Sequence, residues 1–196
     1  QITISVMAAY SLSKLKPKFG KFLLLFFVGT MMISPQALMF PLYLMMANFP
    51  VLNISLINNP LSYILISSAW GYSIFLFKGF FDNIPTDLIE SAIIDGASSM
   101  RTFISIIAPL SLPVFAVLVM NTFLAVYNDL IMPMMLLPRD ENWPLMIKVV
   151  MVQLNGNISA NNMYVLLTIT TIPVLLIYLF AQKNITEGIA TSGIKG

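Results

Sequence analysis

Apolar residues in this chain come in long, nearly unbroken runs, separated by short polar stretches. Residues 22–46 are apolar apart from Thr30, Ser34 and Gln36, with Pro35 and Pro41 interrupting the run. Residues 61–77 form a second run closed by Lys78, residues 110–132 a third, and residues 163–181 a fourth with Pro173 inside it. A helix needs about 20 apolar residues to cross a hydrocarbon core, so each run predicts a membrane span. Residues 1–12 are apolar but too short to cross, and predict a span stub. The chain opens at Gln1 inside that stub, with no initiator Met and no signal-peptide pattern. The expectation is a fragment lacking its N-terminal span. The fold class this pattern predicts is all-α: a multi-pass transmembrane helical bundle.

The polar stretches carry the charges unevenly. Taking alternate sides at each span puts Lys14, Lys16, Lys18, Lys21, Lys78, Arg101, Lys183 and Lys195 on one side. Only Arg139 and Lys148 fall on the other, a clear positive-inside bias. This predicts a cytoplasmic loop over 82–109, an extracytoplasmic loop over 138–162 and a cytoplasmic C-terminus.

The cytoplasmic loop is the most patterned stretch. Asp82, Asp87, Glu90 and Asp95 supply half of the eight acidic residues in the chain. Pro85 suits a first helical turn, and Asp87 and Glu90 suit the positive end of a helix dipole. Leu88, Ile89, Ala92, Ile93 and Gly96 form a one-sided stripe. Gly96 offers the left-handed turn that ends helices, and Ser98 or Ser99 can cap a second helix beyond it. Two readings compete here: an amphipathic helix lying on lipid, and a docking element whose small residues let another surface come close. The acidic character counts against an anionic lipid surface.

Composition narrows the chemistry. The chain is 58% hydrophobic and 9% charged, with a mean hydropathy of +0.88, whereas a soluble domain carries about 25% charged residues. Neither Cys nor His occurs, so disulfides, thiol nucleophiles, imidazole acid–base chemistry and the usual zinc sites are excluded. No catalytic residue, metal site or cofactor is expected. The net charge of +2 gives no reason to expect nucleic acid, and no P-loop motif is present to bind ATP.

Few polar residues lie inside the runs. An ionised Asp in hydrocarbon costs at least ~2.5 kcal/mol, so Asp129 must face protein or water. It either lines a solute path, together with Gln36, Asn121, Tyr127 and Asn128, or caps a broken helix before Pro133. Gln36 is open to two readings as well, as a path-lining group or as a partner for carbonyls freed by the flanking prolines. The 138–162 loop is long and without periodicity, which is often functional. Its tip would be Leu154, Asn155, Gly156 and Asn157; the duller reading is a helix lying on the membrane surface.

The order Glu90-Ser91-Ala92, three residues, Gly96, nine residues, then Ile106-Ile107-Ala108-Pro109 resembles the signature loop of the permease subunits of binding-protein-dependent ABC importers. Asp95-Gly96-Ala97 and Pro113 match the sugar-importer version, while Ser91 and Ala108 depart from it. Tyr127-Asn128-Asp129, the stretch from Pro35 to Tyr43 and the tail from Tyr178 to Gly196 are also similar to that family, most of all to the smaller maltose-type subunit. The resemblance implies the type I ABC importer permease fold, with six spans in the intact subunit. It implies that Glu90, Ser91, Ala92, Asp95, Gly96 and Ala97 dock an ATPase, and that the 138–162 loop reaches an extracytoplasmic solute-binding protein. It also implies a second permease subunit, two ATPase subunits, a bacterial plasma (inner) membrane location and a sugar or oligosaccharide solute. On this reading the chain itself is not an enzyme. A passive channel or scaffold subunit is the alternative, and gives no reason for the pattern from Asp82 to Pro113.

Overall fold

The computed structural model describes residues 1–50, 52–68, 70–156 and 159–193, with 186–193 described by backbone alone. Apart from one isolated bridge between Phe49 and Ile54, the regular structure among the described residues is helical. The helices are α1 (Ile2–Tyr10), α2 (Gly20–Thr30), α3 (Pro35–Ala47), α4 (Pro60–Ile66) and α5 (Gly71–Asp82). They continue with α6 (Asp87–Ile94), α7 (Ser99–Leu110), α8 (Leu112–Tyr127), α9 (Ile131–Leu136), α10 (Leu145–Leu154) and α11 (Ala160–Gly193). Wider π turns extend α1 through Ser11–Leu15 and occupy Phe103–Ile107 within α7.

Among the described residues, one helical stretch, Ala160–Ile185 in α11, is long and apolar enough to cross a membrane unaided. Three broken pairs, α2 with α3, α4 with α5, and α7 with α8, bring the number to four if each pair is one span. Of the two prolines in the first run, Pro35 does mark a break and Pro41 does not. Pro41 stays inside α3, and Pro35 opens that helix after a break at residues 31–34. Proline is well placed there, because the first helical N–H has no partner to lose. The run 61–77 is divided between α4 and α5. Asn59 caps α4 by accepting from Leu61 N at 3.0 Å.

The chain divides into two compact units. The first comprises Gln1–Met32, Ala69–Met120 and Ala181–Gly196. Its core joins Val6, Ala9, Tyr10 and Leu12 to Ile74, Phe77, Phe81 and Ile84, with Ile107 and Leu118 closing it. Small residues on α1 and α5 let the two helices approach: Ser5, Ala9 and Ser73 are all buried. Gln1 Nε2 donates to Ser73 Oγ at 3.2 Å. Gly71 starts α5 where nothing larger fits, because a Cβ there would press on the Phe27 carbonyl and lie 2.9 Å from Thr30 Oγ1.

The second unit comprises Ile33–Ser68 and Asn121–Phe180. Its core is Met46, Leu56, Leu136 and Leu137, with Tyr43, Tyr63, Met132 and Trp143 packed around it. These contacts gather α3, α4 and α9 around the turn before Asn59.

Candidate functional site

The acidic loop is built as two helices at a glycine corner. Asp87 and Glu90 sit in the first turn of α6, where carboxylates favour the helix. Pro85 lies two residues ahead of that turn rather than within it. At the far end, Gly96 has φ +79°, and the N–H groups of Gly96 and Ala97 reach back to the carbonyls of Ile93 and Ala92 at 3.0 and 2.9 Å. That is the left-handed helix stop glycine favours. Ser98 then caps α7, its Oγ accepting from Arg101 N at 3.3 Å.

The apolar side of α6 is divided between the core and the surface. Ala92 is buried and Ile89 packs on the core, but Ile93 and Ile94 are 60% and 85% exposed. Leu88, Met100 and Ile104 are exposed as well. Glu90, Ser91, Asp95 and Gly96 are exposed and Ala97 is half-buried, so five of the six candidate docking residues bound one small, accessible corner. Among the described residues, apart from its two chain neighbours, no atom lies within 4 Å of a Cβ added at Gly96. Within this chain, therefore, the demand for glycine is purely conformational.

Both ends of this loop are tied to the end of α1, which the sequence pattern did not reveal. Ser13 Oγ donates to Asp82 Oδ1 at 2.6 Å, and Lys78 Nζ donates to Asp82 Oδ2 at 2.6 Å. Lys14 Nζ donates to the Ile84 carbonyl at 2.8 Å. Burial pushes the Lys14 ammonium below its ordinary value, against the opposing pull of Asp82. Tyr10 Oη donates to the Ser99 carbonyl at 3.1 Å, and its ring lies 5.1 Å from that of Phe103.

The polar residues of the spans behave differently. Asp129 uses both carboxylate oxygens: Oδ2 accepts from Tyr63 Oη at 2.9 Å, and Oδ1 accepts from Met132 N at 3.3 Å. It thus holds the start of α9 and fixes it to α4. Tyr127 Oη donates to the Thr170 carbonyl at 2.8 Å, and its ring stacks on Phe123 at 5.3 Å. Asn128, between them, is exposed, and its Nδ2 donates to the Leu124 carbonyl at 2.9 Å. Asn121 and Gln36 are exposed too; Gln36 Oε1 accepts from Ser34 Oγ at 2.5 Å. Tyr63 is the participant that sequence reasoning missed. Its only signal was a hydroxyl within an apolar run.

The 138–162 segment is anchored at its base. Asn58, itself at φ +63°, accepts from Arg139 N at 3.1 Å through Oδ1, while its carbonyl accepts from Asn142 Nδ2 at 3.0 Å. Trp143 Nε1 donates to the Leu137 carbonyl at 2.7 Å. Helix α10 follows, with Ile147 and Val149 buried. Its end presents Leu154, 72% exposed, then Asn155 and Gly156, both exposed, with Gly156 at φ +67°. Asn157 lies outside the described residues, as does the last part of the tail. No cluster of metal-ligating side chains occurs among the described residues.

Compared with known proteins, residues 1–191 match the family model described as binding-protein-dependent transport system inner membrane component. The chain belongs to that family. Among curated relatives, the galactooligosaccharides transport system permease protein GanQ of Bacillus subtilis (strain 168) is 32% identical over 194 residues. The match covers 96% of this chain and 66% of that protein. The maltodextrin permease MdxG of the same organism is 29% identical, covering 100% of this chain and 70% of the relative. MalD of Streptococcus pneumoniae (strain ATCC BAA-255 / R6), another maltodextrin transport system permease protein, is 28% identical at 100% and 69% coverage. The chain thus spans about two thirds of the length of these relatives. A solved bacterial ABC transporter involved in the import of the acidic polysaccharide alginate shares the fold. Its TM-score is 0.75 at 23% identity, over 91% of this chain and 66% of that one. The family's description places this chain among inner-membrane transport components.

Proposed function

We propose that this chain is a permease subunit of an ATP-driven, binding-protein-dependent importer for sugars or oligosaccharides. The observation that carries the reading is the α6 corner. A helix with two free isoleucines, exposed carboxylates and a glycine stop has the composition of a surface that a partner covers, since exposed apolar clusters rimmed by charge mark interfaces. The partner is a cytoplasmic ATPase subunit, two copies of which serve this chain and a second permease subunit. The chain itself performs no catalysis. On the other side of the lipid bilayer, Leu154, Asn155, Gly156 and Asn157 meet the solute-binding protein. The relatives named for galactooligosaccharide and maltodextrin transport support a sugar as solute.

On this reading the candidate residues of the solute path have unequal roles. Asn128, Asn121 and Gln36 offer exposed amides suited to hydroxyl-rich solutes. Tyr127 and Asp129, each bonded within the protein, set the position of Asn128 between them. ATP-driven closure of the ATPases moves α6, and the spans switch the path between inward and outward access as a biased two-state change.

The test is a purification of the assembled complex through this chain, with ATPase content and ATP-driven uptake measured on one preparation. Glu90→Lys and Gly96→Leu are expected to leave the chain in the membrane while reducing ATPase association or uptake. Normal association and normal uptake in both variants would refute the reading.

A further inference from the structure

The loop that carries α6 has two natural flexing points, residues 83–86 before the helix and residues 95–98 after it. Left to themselves, they would absorb a push on α6 locally. Both are bypassed. On the entry side, Lys14 and Ser13 hold the Ile84 carbonyl and the Asp82 carboxylate. On the exit side, Tyr10 holds the Ser99 carbonyl and packs on Phe103. All three residues lie within one turn and a half at the end of α1, so one helix grips the loop at both ends. The grip is sheltered: Tyr10 is 8% and Ser13 3% exposed. Ile84 and Ile107 on the loop's two flanks are buried in the same cluster as Val6, Ala9 and Leu12 of α1. Each gripping segment also carries a π turn, Ser11–Leu15 on one side and Phe103–Ile107 on the other, a local widening that is frequent at functional sites.

We propose that Tyr10, Ser13 and Lys14 are positioning residues that clamp the docking loop to α1, making α1 the first element moved when a partner displaces α6. This rests on the reading that α6 docks a partner, but the clamp itself is a property of this chain alone. A loop held on both flanks to one helix has less slack at 83–86 and 95–98 to absorb a displacement, so more of the push on α6 reaches α1 than in a loop held only by its own flanking helices. Tight packing favours discrete shifts over continuous deformation.

The sequence contains no cysteine, so spin labels can be placed cleanly at Met7→Cys on α1 and Ile94→Cys on α6, which are 50% and 85% exposed. In the full chain in lipid nanodiscs, the Met7–Ile94 distance distribution is expected to be narrow. The combined Tyr10→Phe and Ser13→Ala change should broaden it, lowering the ratio of clamped to released loop about fivefold per hydrogen bond, hence about 25-fold together. Ser13→Thr, which keeps the hydroxyl, should restore the narrow distribution. An unchanged distribution in the double variant overturns the clamp, whether or not an ATPase binds. In the assembled complex, the native distance should stay the same between nucleotide-free and ATP-bound states, and the unlabelled double variant should transport less solute per ATP hydrolysed. A native distance that changes with nucleotide overturns the proposal. Failure of any ATPase to co-purify counts against the docking reading instead, and leaves the nanodisc measurement to decide the clamp.

Discussion

The α6 corner and the Tyr127-Asn128-Asp129 triplet are both polar interruptions in an apolar chain, yet they handle their polar groups in opposite ways. In the triplet nearly every group is satisfied from inside the protein: Asp129 by Tyr63 and Met132 N, Tyr127 by Thr170, and the Asn128 amide by Leu124. At α6 the carboxylates of Asp87, Glu90 and Asp95 are exposed, and Ile93 and Ile94 stand beside them with most of their surface uncovered. Groups satisfied internally set a shape. Groups left facing outward await something to meet. The two regions should therefore respond differently to substitution, the first in stability and the second in association.

The largest expected effect is at Asp129. Asp129→Ala removes two hydrogen bonds to a carboxylate and leaves the Tyr63 hydroxyl without its acceptor, a loss of about 3 kcal/mol. The expected readout is a clear drop in thermal stability and in the amount of chain recovered from membranes. A stable Asp129→Ala variant with altered transport would erase the contrast, and return Asp129 to direct contact with solute. Tyr63→Phe deletes the same bond from the other side but leaves the carboxylate its bond to Met132 N. Its cost should be smaller, about 1–2 kcal/mol, in the same thermal assay.

Gly96→Ala sharpens the other half of the comparison. A Cβ meets open space there, so the only internal penalty is the left-handed backbone, about 1 kcal/mol. Thermal stability should fall by that amount, with the chain still inserted. Comparing Gly96→Ala with Gly96→Leu in ATPase co-purification then separates the two causes. Backbone strain is common to both, and any further loss with Leu measures how closely the partner approaches. The smallest stability effect belongs to Asn128→Ala, which touches an exposed side chain and should stay within about 0.5 kcal/mol. Its effect should appear in solute preference or uptake rate. Loss of the chain from the membrane would show that Asn128 is structural.

The hydrophobic runs made the all-α, membrane-embedded class legible, because hydropathy depends only on composition along a window. Hydropathy hid the breaks within the runs for the same reason, and only Pro35 hinted at one of them. Met31, Met32 and Ile33 are as apolar as the helices they separate, so no hydropathy signal marks the non-helical turn before Pro35. The end of α6 was legible because glycine stops and serine caps act on neighbours one to five residues away. Contacts between distant residues were not. Tyr63 meets Asp129 across 66 positions, and Tyr10 meets Ser99 across 89. A tyrosine in an apolar run looks the same whether or not it has such a partner. Of the stripe expected on α6, Ala92 turns inward and Ile93 outward, and Ile94, outside the stripe, is more exposed still. Periodicity shows that a helix has an apolar side, but it does not say whether the protein's own core or another surface covers it.

The central claim is that the exposed face of α6 meets an ATPase, while the end of α10 faces the opposite side of the membrane. Ile94→Cys and Leu154→Cys, at positions 85% and 72% exposed, can each carry a short thiol-reactive photo-crosslinker in the assembled complex. The products can be identified by mass spectrometry. The account predicts that Ile94 yields a crosslink to the ATPase subunit, and that Leu154 yields none to it under the same illumination. An ATPase crosslink from Leu154, or none from Ile94 in a complex that hydrolyses ATP, would contradict it.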